Sequence, residues 1–354
     1  MNAIDIPYQP VEPRSYRPKI GLIGCGWVTE YHLKAYTHAG YNVAAMCDCN
    51  EAKAIERQKQ FYPGATVYTD ANQLLAREDI EVVDIATHPA ERVTLIEAAL
   101  NAGKHVLSQK PFVLDLDTGE RLVALARMHN RQLAVNQNGR WAPHWSYLRQ
   151  LIAGWHIGDP MSAHLAVHWD HNWTAGTPFD NVRHLVLYDF AIHWFDIVTQ
   201  LLFNKKATRV HASNAIAPGQ RSKPPLLAQV SIEFEQYAQA TLVFDGSTAF
   251  APRDTTYVAG TLGTAKSDGP DLNEQRVTVT TAAGEFQPAL HGSWFREGFH
   301  GTMAELLCAI EEDREPSHSA AGNLASLALC FAAVKSADTK QPQVPGEVRR
   351  VDVA

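Results

Sequence analysis

Lys19 to Asp48 is the stretch that most narrows what this chain can fold into. Ile20, Leu22 and Ile23 form a short apolar run of the buried-strand kind, and Gly24 and Gly26 follow at once. A helix-length segment opens near Val28, and a second apolar run, Val43 to Met46, leads to Asp48. Strand, glycine turn, helix and acid-tipped strand is the order of a dinucleotide-binding unit. Gly24 permits the tight turn, Gly26 lets the backbone approach a pyrophosphate, and the unpaired N–H groups at the helix start hold phosphate. Asp48 stands at about the 20-residue spacing at which a carboxylate accepts hydrogen bonds from the adenosine ribose. Thr29 replaces the third glycine of the motif, so the turn alone is a weak signal and its context carries the reading. An aspartate at this position repels a 2′-phosphate, and Cys49-Asn50 brings no arginine to neutralise one. The expected cofactor is therefore NAD, with NADP disfavoured.

From Lys19 to about Gln137 strand-like and helix-like segments alternate, which predicts a doubly wound parallel sheet, an α/β Rossmann domain. Its ligand crevice lies at the carboxyl ends of the strands. Gly24, Asp48, Thr87, Lys110 and Gln137 each follow a strand end and are expected along one edge, with Trp27 and Val28 at the glycine turn and His88 beside Thr87. Past Trp141 the pattern changes. Ser162–Trp169, Arg209–Ala215, Ala228–Phe234, Ala238–Phe244, Thr255–Ala259 and Arg276–Thr281 read as strands, with a hairpin around Glu235-Gln236-Tyr237. One helix, Tyr188 to Leu202, interrupts them. A further helix is expected to start at Thr302, where Thr302 and Glu305 would form a capping box, and another runs from Asn323 to Ser336. The expected organisation is a leader over 1–18, disordered or draped on the surface, the Rossmann domain over 19–138, and an α+β domain with a mainly antiparallel sheet over 139–354.

A chain of 354 residues suits two domains. A net charge of -7 offers no basic surface, so nucleic acid is not an expected partner. Five scattered cysteines do not make a disulfide framework and read as reduced thiols. No apolar run of membrane-span length stands out, and the start of the chain has no signal pattern. A cytoplasmic protein with no membrane partner is expected.

Three residues have the chemistry of alcohol oxidation. Lys110 follows a strand at the crevice edge. Asp189 and His193 are spaced i, i+4, which places them on one face of a regular helix. A histidine can take a hydroxyl proton near neutral pH, a carboxylate can orient it, and a lysine can donate to the same oxygen. Each residue also has an ordinary reading, a surface lysine in a turn and a histidine satisfied by a carboxylate.

Taken together, Gly24-Cys25-Gly26-Trp27, Ala102-Gly103-Lys104-His105-Val106, Gln109-Lys110-Pro111, Asp189-Phe-Ala-Ile-His193 and the segment Phe299 to Ile310 resemble the Gfo/Idh/MocA family of NAD(P)-dependent oxidoreductases. The resemblance runs from about Lys19 to Pro345. It implies a second domain whose sheet has an open face, and a catalytic trio of Lys110, Asp189 and His193. Lys110 would touch the substrate hydroxyl and the nicotinamide region, Asp189 would hold a substrate hydroxyl, and His193 would be the general base. Hydride would pass from the substrate carbon to nicotinamide. Three positions depart from the family pattern: Gln109 replaces the common glutamate before the lysine, Ala191 is a conservative change at the small residue between the aspartate and histidine, and Arg92 stands where a histidine is frequent.

For the substrate, Asn138, Arg140, Trp169 and Arg183 are candidates beside the trio, because aromatic faces with convergent polar groups suit a sugar or cyclitol. At least half of the tryptophans are expected in the core or at a subunit interface. His164, His168 and His171 lack the ligand spacing of a known metal site, and no metal is expected. The leading expectation is an NAD-dependent dehydrogenase oxidising a secondary hydroxyl of a sugar, glycoside or cyclitol. Its rivals are a keto-sugar reductase, a redox-neutral enzyme that cleaves glycosides with retained NAD, and an NAD-sensing regulator. An open sheet invites a second copy, so a homodimer or homotetramer is expected.

Overall fold

The computed structural model describes residues 6–352, which fall into two compact units. The first is made of Gln9–Trp141 and Phe295–Leu324. Its sheet consists of β1 (Lys19–Ile23), β2 (Asn42–Cys47), β3 (Thr66–Tyr68), β4 (Ile80–Ile85), β5 (His105–Ser108) and β6 (Leu133–Val135), in the order β3-β2-β1-β4-β5-β6. Every pairing is parallel. The helices between the strands are α1 (Thr29–Ala39), α2 (Glu51–Phe61), α3 (Ala71–Leu75), α4 (Pro89–Asn101) and α5 (Leu116–Met128). Their ends follow local chemistry. Asp70 caps α3 by accepting the Asn72 N–H, and Gly103, at φ +71°, follows the end of α4.

Within the leader, which was expected to be disordered or draped on the surface, Arg14 to Tyr16 are tied down. The Glu311 carboxylate accepts the backbone N–H groups of Arg14, Ser15 and Tyr16. This part of the leader is draped on the surface, and its first five residues lie outside the described ones.

Residues 295–324 join the first unit rather than the second because α8 (Trp294–Glu311) supplies part of its core. Phe299, Met303, Leu306 and Leu307 pack in one cluster with Ile20, Leu22, Leu33, Val82 and Leu107. The helix start expected at Thr302 is corrected here: α8 begins eight residues earlier. Thr302 is buried inside it and returns its hydroxyl to the Phe299 carbonyl, while Glu305 pairs with Arg314 and accepts the Ser317 N–H. Gly298 and Gly301, which resemble a helix break in sequence, lie in its interior for lack of room. A Cβ on Gly298 would meet the Asn138 carbonyl at 2.7 Å, and one on Gly301 would meet the Trp141 ring at 2.1 Å.

The second unit contains residues 6–8, Ala142–Trp294 and 325–352. Its eight-stranded sheet is built from β7 (Pro160–His168), β8 (Ala207–Ala215), β9 (Leu227–Phe234), β10 (Gln239–Asp245), β11 (Arg253–Gly260), β12 (Gly263–Gly269), β13 (Arg276–Thr281) and β14 (Gly284–Phe286). The order is β14-β13-β12-β11-β7-β10-β9-β8, antiparallel except for β10 beside β7. Two of these strands, β12 and β14, had no expectation in the sequence. Burial alternates along the central strands, so one face is covered and the other open. On the covered face the Trp145 indole, from α6 (Pro143–Ala153), donates to Thr256 Oγ1 at 3.0 Å.

The single helix expected over Tyr188–Leu202 is two elements. Leu185–Phe190 forms a π-helical turn, and α7 (Ile192–Leu201) follows it. The Ala191 N–H reaches back five residues to the Val186 carbonyl, so Asp189 and His193 do not share the face of one regular α-helix. The last helix is α9 (Ala320–Thr339). By length and composition it could cross a membrane, contrary to the expectation that no such run exists, but 67% of its apolar window is buried inside the protein.

Candidate active site

The cofactor half begins at the end of β1. Gly24 sits at φ +90°, and a Cβ there would lie 2.8 Å from the Ala86 carbonyl, so only glycine fits. A Cβ on Gly26 would meet nothing within 4 Å. The glycine therefore leaves an open cradle beside the start of α1, whose N-cap residue, Val28, makes no side-chain cap. Thr29, in the place of the third glycine, is buried and donates its hydroxyl to the Gly26 carbonyl at 2.6 Å, which braces the turn. Trp27 is 63% exposed, its ring edge-on to Tyr31. Asp48 Oδ2 accepts the Cys25 N–H and Oδ1 accepts the Asn50 N–H, each at 2.8 Å. A carboxylate oxygen has a second lone pair, so both oxygens can still accept from ribose hydroxyls.

Further along the strand ends, the Gln137 side chain is 1% exposed, and both its polar atoms are buried without a hydrogen-bond partner among the described residues. Thr87 Oγ1 is in the same condition. Buried polar atoms of this kind need a partner, and the amide and hydroxyl groups of a dinucleotide are of the right chemistry. Together with the Gly26 cradle they fit a nicotinamide dinucleotide. His88 is exposed at the N-cap position of α4 and makes no cap hydrogen bond.

Lys110 is half-buried directly after β5, and its bond to Pro111 is cis. Its backbone is held from two sides. Gln109 Oε1 accepts the Lys110 N–H at 2.6 Å. Arg92, 1% exposed on α4, donates to the carbonyls of Thr87, Gln109 and Pro111. The residue that departs from the family's histidine is thus a clamp on the loop that presents the lysine. Behind it lies a buried cluster of His32, Tyr36, Asp84 and Asn136 that the sequence reading passed over. Its only local hint was a polar acid inside the apolar run of β4.

Two residues expected at the substrate also have partners within the protein. Arg140 is 1% exposed and donates one guanidinium N–H to the Ser317 carbonyl. Arg183 is exposed and pairs with Asp338 on α9 at 3.1 Å. Asn138 is buried in a 3-10 turn, Asn138–Trp141.

In the second unit, Asp189 is half-buried near the end of the π turn, and His193 is 6% exposed in the first turn of α7. The His193 ring stands edge-on to Trp294, centroids 5.4 Å apart at 89°. Trp294 had no place among the expected site residues. Around it, Trp194 meets Trp145 at 5.4 Å, Trp169 at 5.9 Å and Phe244 at 5.5 Å. Trp145 and Trp194 are core residues at 0% and 3% exposure, while Trp169 is half-buried. Among the described residues no three His, Cys, Asp or Glu side chains converge as metal ligands.

A parallel Rossmann sheet with this glycine turn and strand-end acid defines a dinucleotide-binding protein. The model of an oxidoreductase family with an NAD-binding Rossmann fold matches residues 18–137, and that of the GFO/IDH/MocA C-terminal domain matches residues 145–266. D-apiose dehydrogenase of Paraburkholderia graminis is 28% identical, over 91% of this chain and 88% of its own. Inositol 2-dehydrogenase of Rhodococcus erythropolis is 27% identical over 95% and 97%. In fold, the chain matches an oxidoreductase from Agrobacterium radiobacter, solved with NAD+, L-tartaric acid and magnesium, at a TM-score of 0.83 and 23% identity, covering 93% and 99% of the two chains. The chain belongs to the Gfo/Idh/MocA family of NAD(P)-dependent oxidoreductases and acts on CH–OH groups.

Proposed function

We propose that this protein is an NAD-dependent dehydrogenase that oxidises a secondary hydroxyl of a sugar, glycoside or cyclitol. The observation that carries the reading is His193, nearly buried, braced by Trp294 and preceded by Asp189 on a π turn. π turns of this kind recur at functional sites. The names of the relatives, an apiose and an inositol dehydrogenase, agree with it.

In this reading His193 takes the proton of the reacting hydroxyl. Asp189 accepts a hydrogen bond from a substrate hydroxyl and sets its orientation. Lys110 donates to the reacting oxygen and stabilises the charge that develops as the proton leaves. Bound nicotinamide supplies the hydride acceptor. Asp48 selects NAD by repelling a 2′-phosphate. The protein works in the cytoplasm as a homo-oligomer assembled through the open sheet face.

The test is nicotinamide reduction across a panel of sugars, glycosides and inositols, with NAD and NADP side by side. Turnover with NAD that collapses in His193→Ala is expected. Turnover preferring NADP would refute the role given to Asp48. Silence across the panel, with NAD still bound, would refute the dehydrogenase reading.

A further inference from the structure

The side chain of Gln109 ends a buried chain of hydrogen bonds whose direction is set at the Lys110 backbone. A backbone N–H can only donate, so Gln109 Oε1 must face it, at 2.6 Å. Gln109 Nε2 then faces His32 Nε2 at 3.0 Å, and that ring nitrogen must accept. Asn136 Nδ2 approaches the same nitrogen at 3.4 Å. The single ring proton therefore sits on Nδ1, which donates to Asp84 Oδ2 at 2.7 Å. Tyr36 donates to the same carboxylate oxygen at 2.7 Å. His32, Tyr36, Asp84 and Asn136 are fully buried, and Gln109 is 6% exposed.

The groups that face His32 are thus known from each side. Asp84 comes from β4, Tyr36 from α1 itself, and Gln109 and Asn136 from the ends of β5 and β6. Phe299 of α8 covers the ring at 4.2 Å. Arg92 of α4 is the nearby cation, bound to the Gln109 carbonyl.

We infer that Gln109 is a positioning residue for Lys110, and that its carboxamide holds the lysine's backbone through a neutral His32. The inference rests on the reading of Lys110 as a substrate contact. A glutamate at 109 would turn an oxygen toward His32 Nε2. The ring would have to take a second proton from solvent, becoming an imidazolium between two carboxylates. When that proton left, two acceptors would face each other, and the side chain at 109 would release the Lys110 N–H. The native relay has no such step, because an amide donates and accepts without titrating.

The experiment compares wild type with Gln109→Glu, Gln109→Met and Lys110→Ala, reading kcat and KM from pH 6 to 9. On the same folded proteins, 15N shifts of the His32 ring are followed, assigned by their loss in His32→Gln. In wild type a ring with its proton on Nδ1 and an accepting Nε2 is expected. In Gln109→Glu both ring nitrogens should be protonated at pH 6, and kcat should fall about tenfold per pH unit once that proton is lost, a limb absent from wild type. Gln109→Met should lower kcat at every pH with KM little changed. An active Lys110→Ala would overturn the reading of Lys110. A dead Lys110→Ala, together with a neutral His32 ring and a wild-type pH profile in Gln109→Glu, would overturn this inference alone.

Discussion

Asp48 Oδ2 accepts the backbone N–H of Cys25 at 2.8 Å, and so the acid at the end of β2 also braces the glycine turn after β1. Its other oxygen accepts the Asn50 N–H. Asparagine is isosteric but has one acceptor end, so Asp48→Asn must set an NH2 group against one of two donors. A lost charge-assisted bond of this kind is worth about 1.5–3 kcal/mol. The expected result is a Kd for NADH raised by about tenfold or more, with a smaller rise for NADPH because the repulsion of a 2′-phosphate is removed. Fluorescence titration of both cofactors reads this. Equal affinities for wild type and variant would show that neither the brace nor the repulsion matters.

Arg92 serves three backbone carbonyls with one planar cation. Arg92→Met would leave those oxygens without their donor in a buried place, at about 1–3 kcal/mol for each one left unpaired. Neighbouring losses do not add fully. A drop in Tm of at least about 5 °C is expected, with turnover reduced further because two of the carbonyls flank Lys110. Lysine offers a compact ammonium in place of a fork, so Arg92→Lys should fall between wild type and Arg92→Met. A melting curve for Arg92→Met that overlays wild type would refute the clamp.

Burial holds three histidines neutral. It pushes His144 down to about 3, His171 to about 4, and His105 to about 4 with help from the Arg131 charge. His105 Nδ1 accepts the Gln132 N–H, a bond that a protonated ring could not accept. The folded values lie below the unfolded one of about 6.5, so the unfolded chain gains protons first as pH falls. Stability is therefore fully present above pH 6.5 and is lost between there and the folded values. For His144 the loss at pH 5 is about 2 kcal/mol. Asp254 works in the opposite sense, since burial raises its carboxyl well above the ordinary range. The comparison of His144→Gln with wild type isolates one histidine. Urea midpoints should fall less between pH 7.5 and pH 5 in the variant, and an equal fall would disprove the assignment.

What the sequence made legible was periodic or local. The Rossmann strands, the hairpin at Gln236 and the Asp70 cap each follow from spacing within a few residues. The parts that escaped depend on partners distant along the chain. The start of α8 was misplaced because Thr302 and Glu305 have the spacing of a capping box, whereas Thr302 returns its hydroxyl to the Phe299 carbonyl inside the helix and Glu305 turns to Arg314. The π turn before α7 is a choice among backbone acceptors that side-chain spacing does not record. The Arg92 clamp uses carbonyls, which no sequence pattern reveals. Spacing could not show the carbonyl that Arg140 meets or the aspartate that Arg183 meets, because both partners are far away along the chain.

The open sheet face leads to the last prediction. His164 and Tyr257 are register partners at the centre of the sheet, their rings stacked with centroids 6.4 Å apart, and His164 bonds Thr241 across the next strand. Ala166 and Val243 are register partners on the same face, opposite in direction to the buried Leu165 and Leu242. Tyr257 is 41% exposed. An aromatic and aliphatic centre of this kind has the chemistry that the proposed homo-oligomer would cover. If a second copy covers it, two lysines at the centre would place like charges against each other across a symmetric contact. Tyr257→Lys combined with Val243→Lys should therefore reduce the mass seen by light scattering from an oligomer to a monomer. NADH binding should persist, because Gly24, Gly26 and Asp48 belong to the other unit. A wild-type protein that scatters as a monomer, or a variant whose mass does not change, would remove the open sheet as the assembly surface.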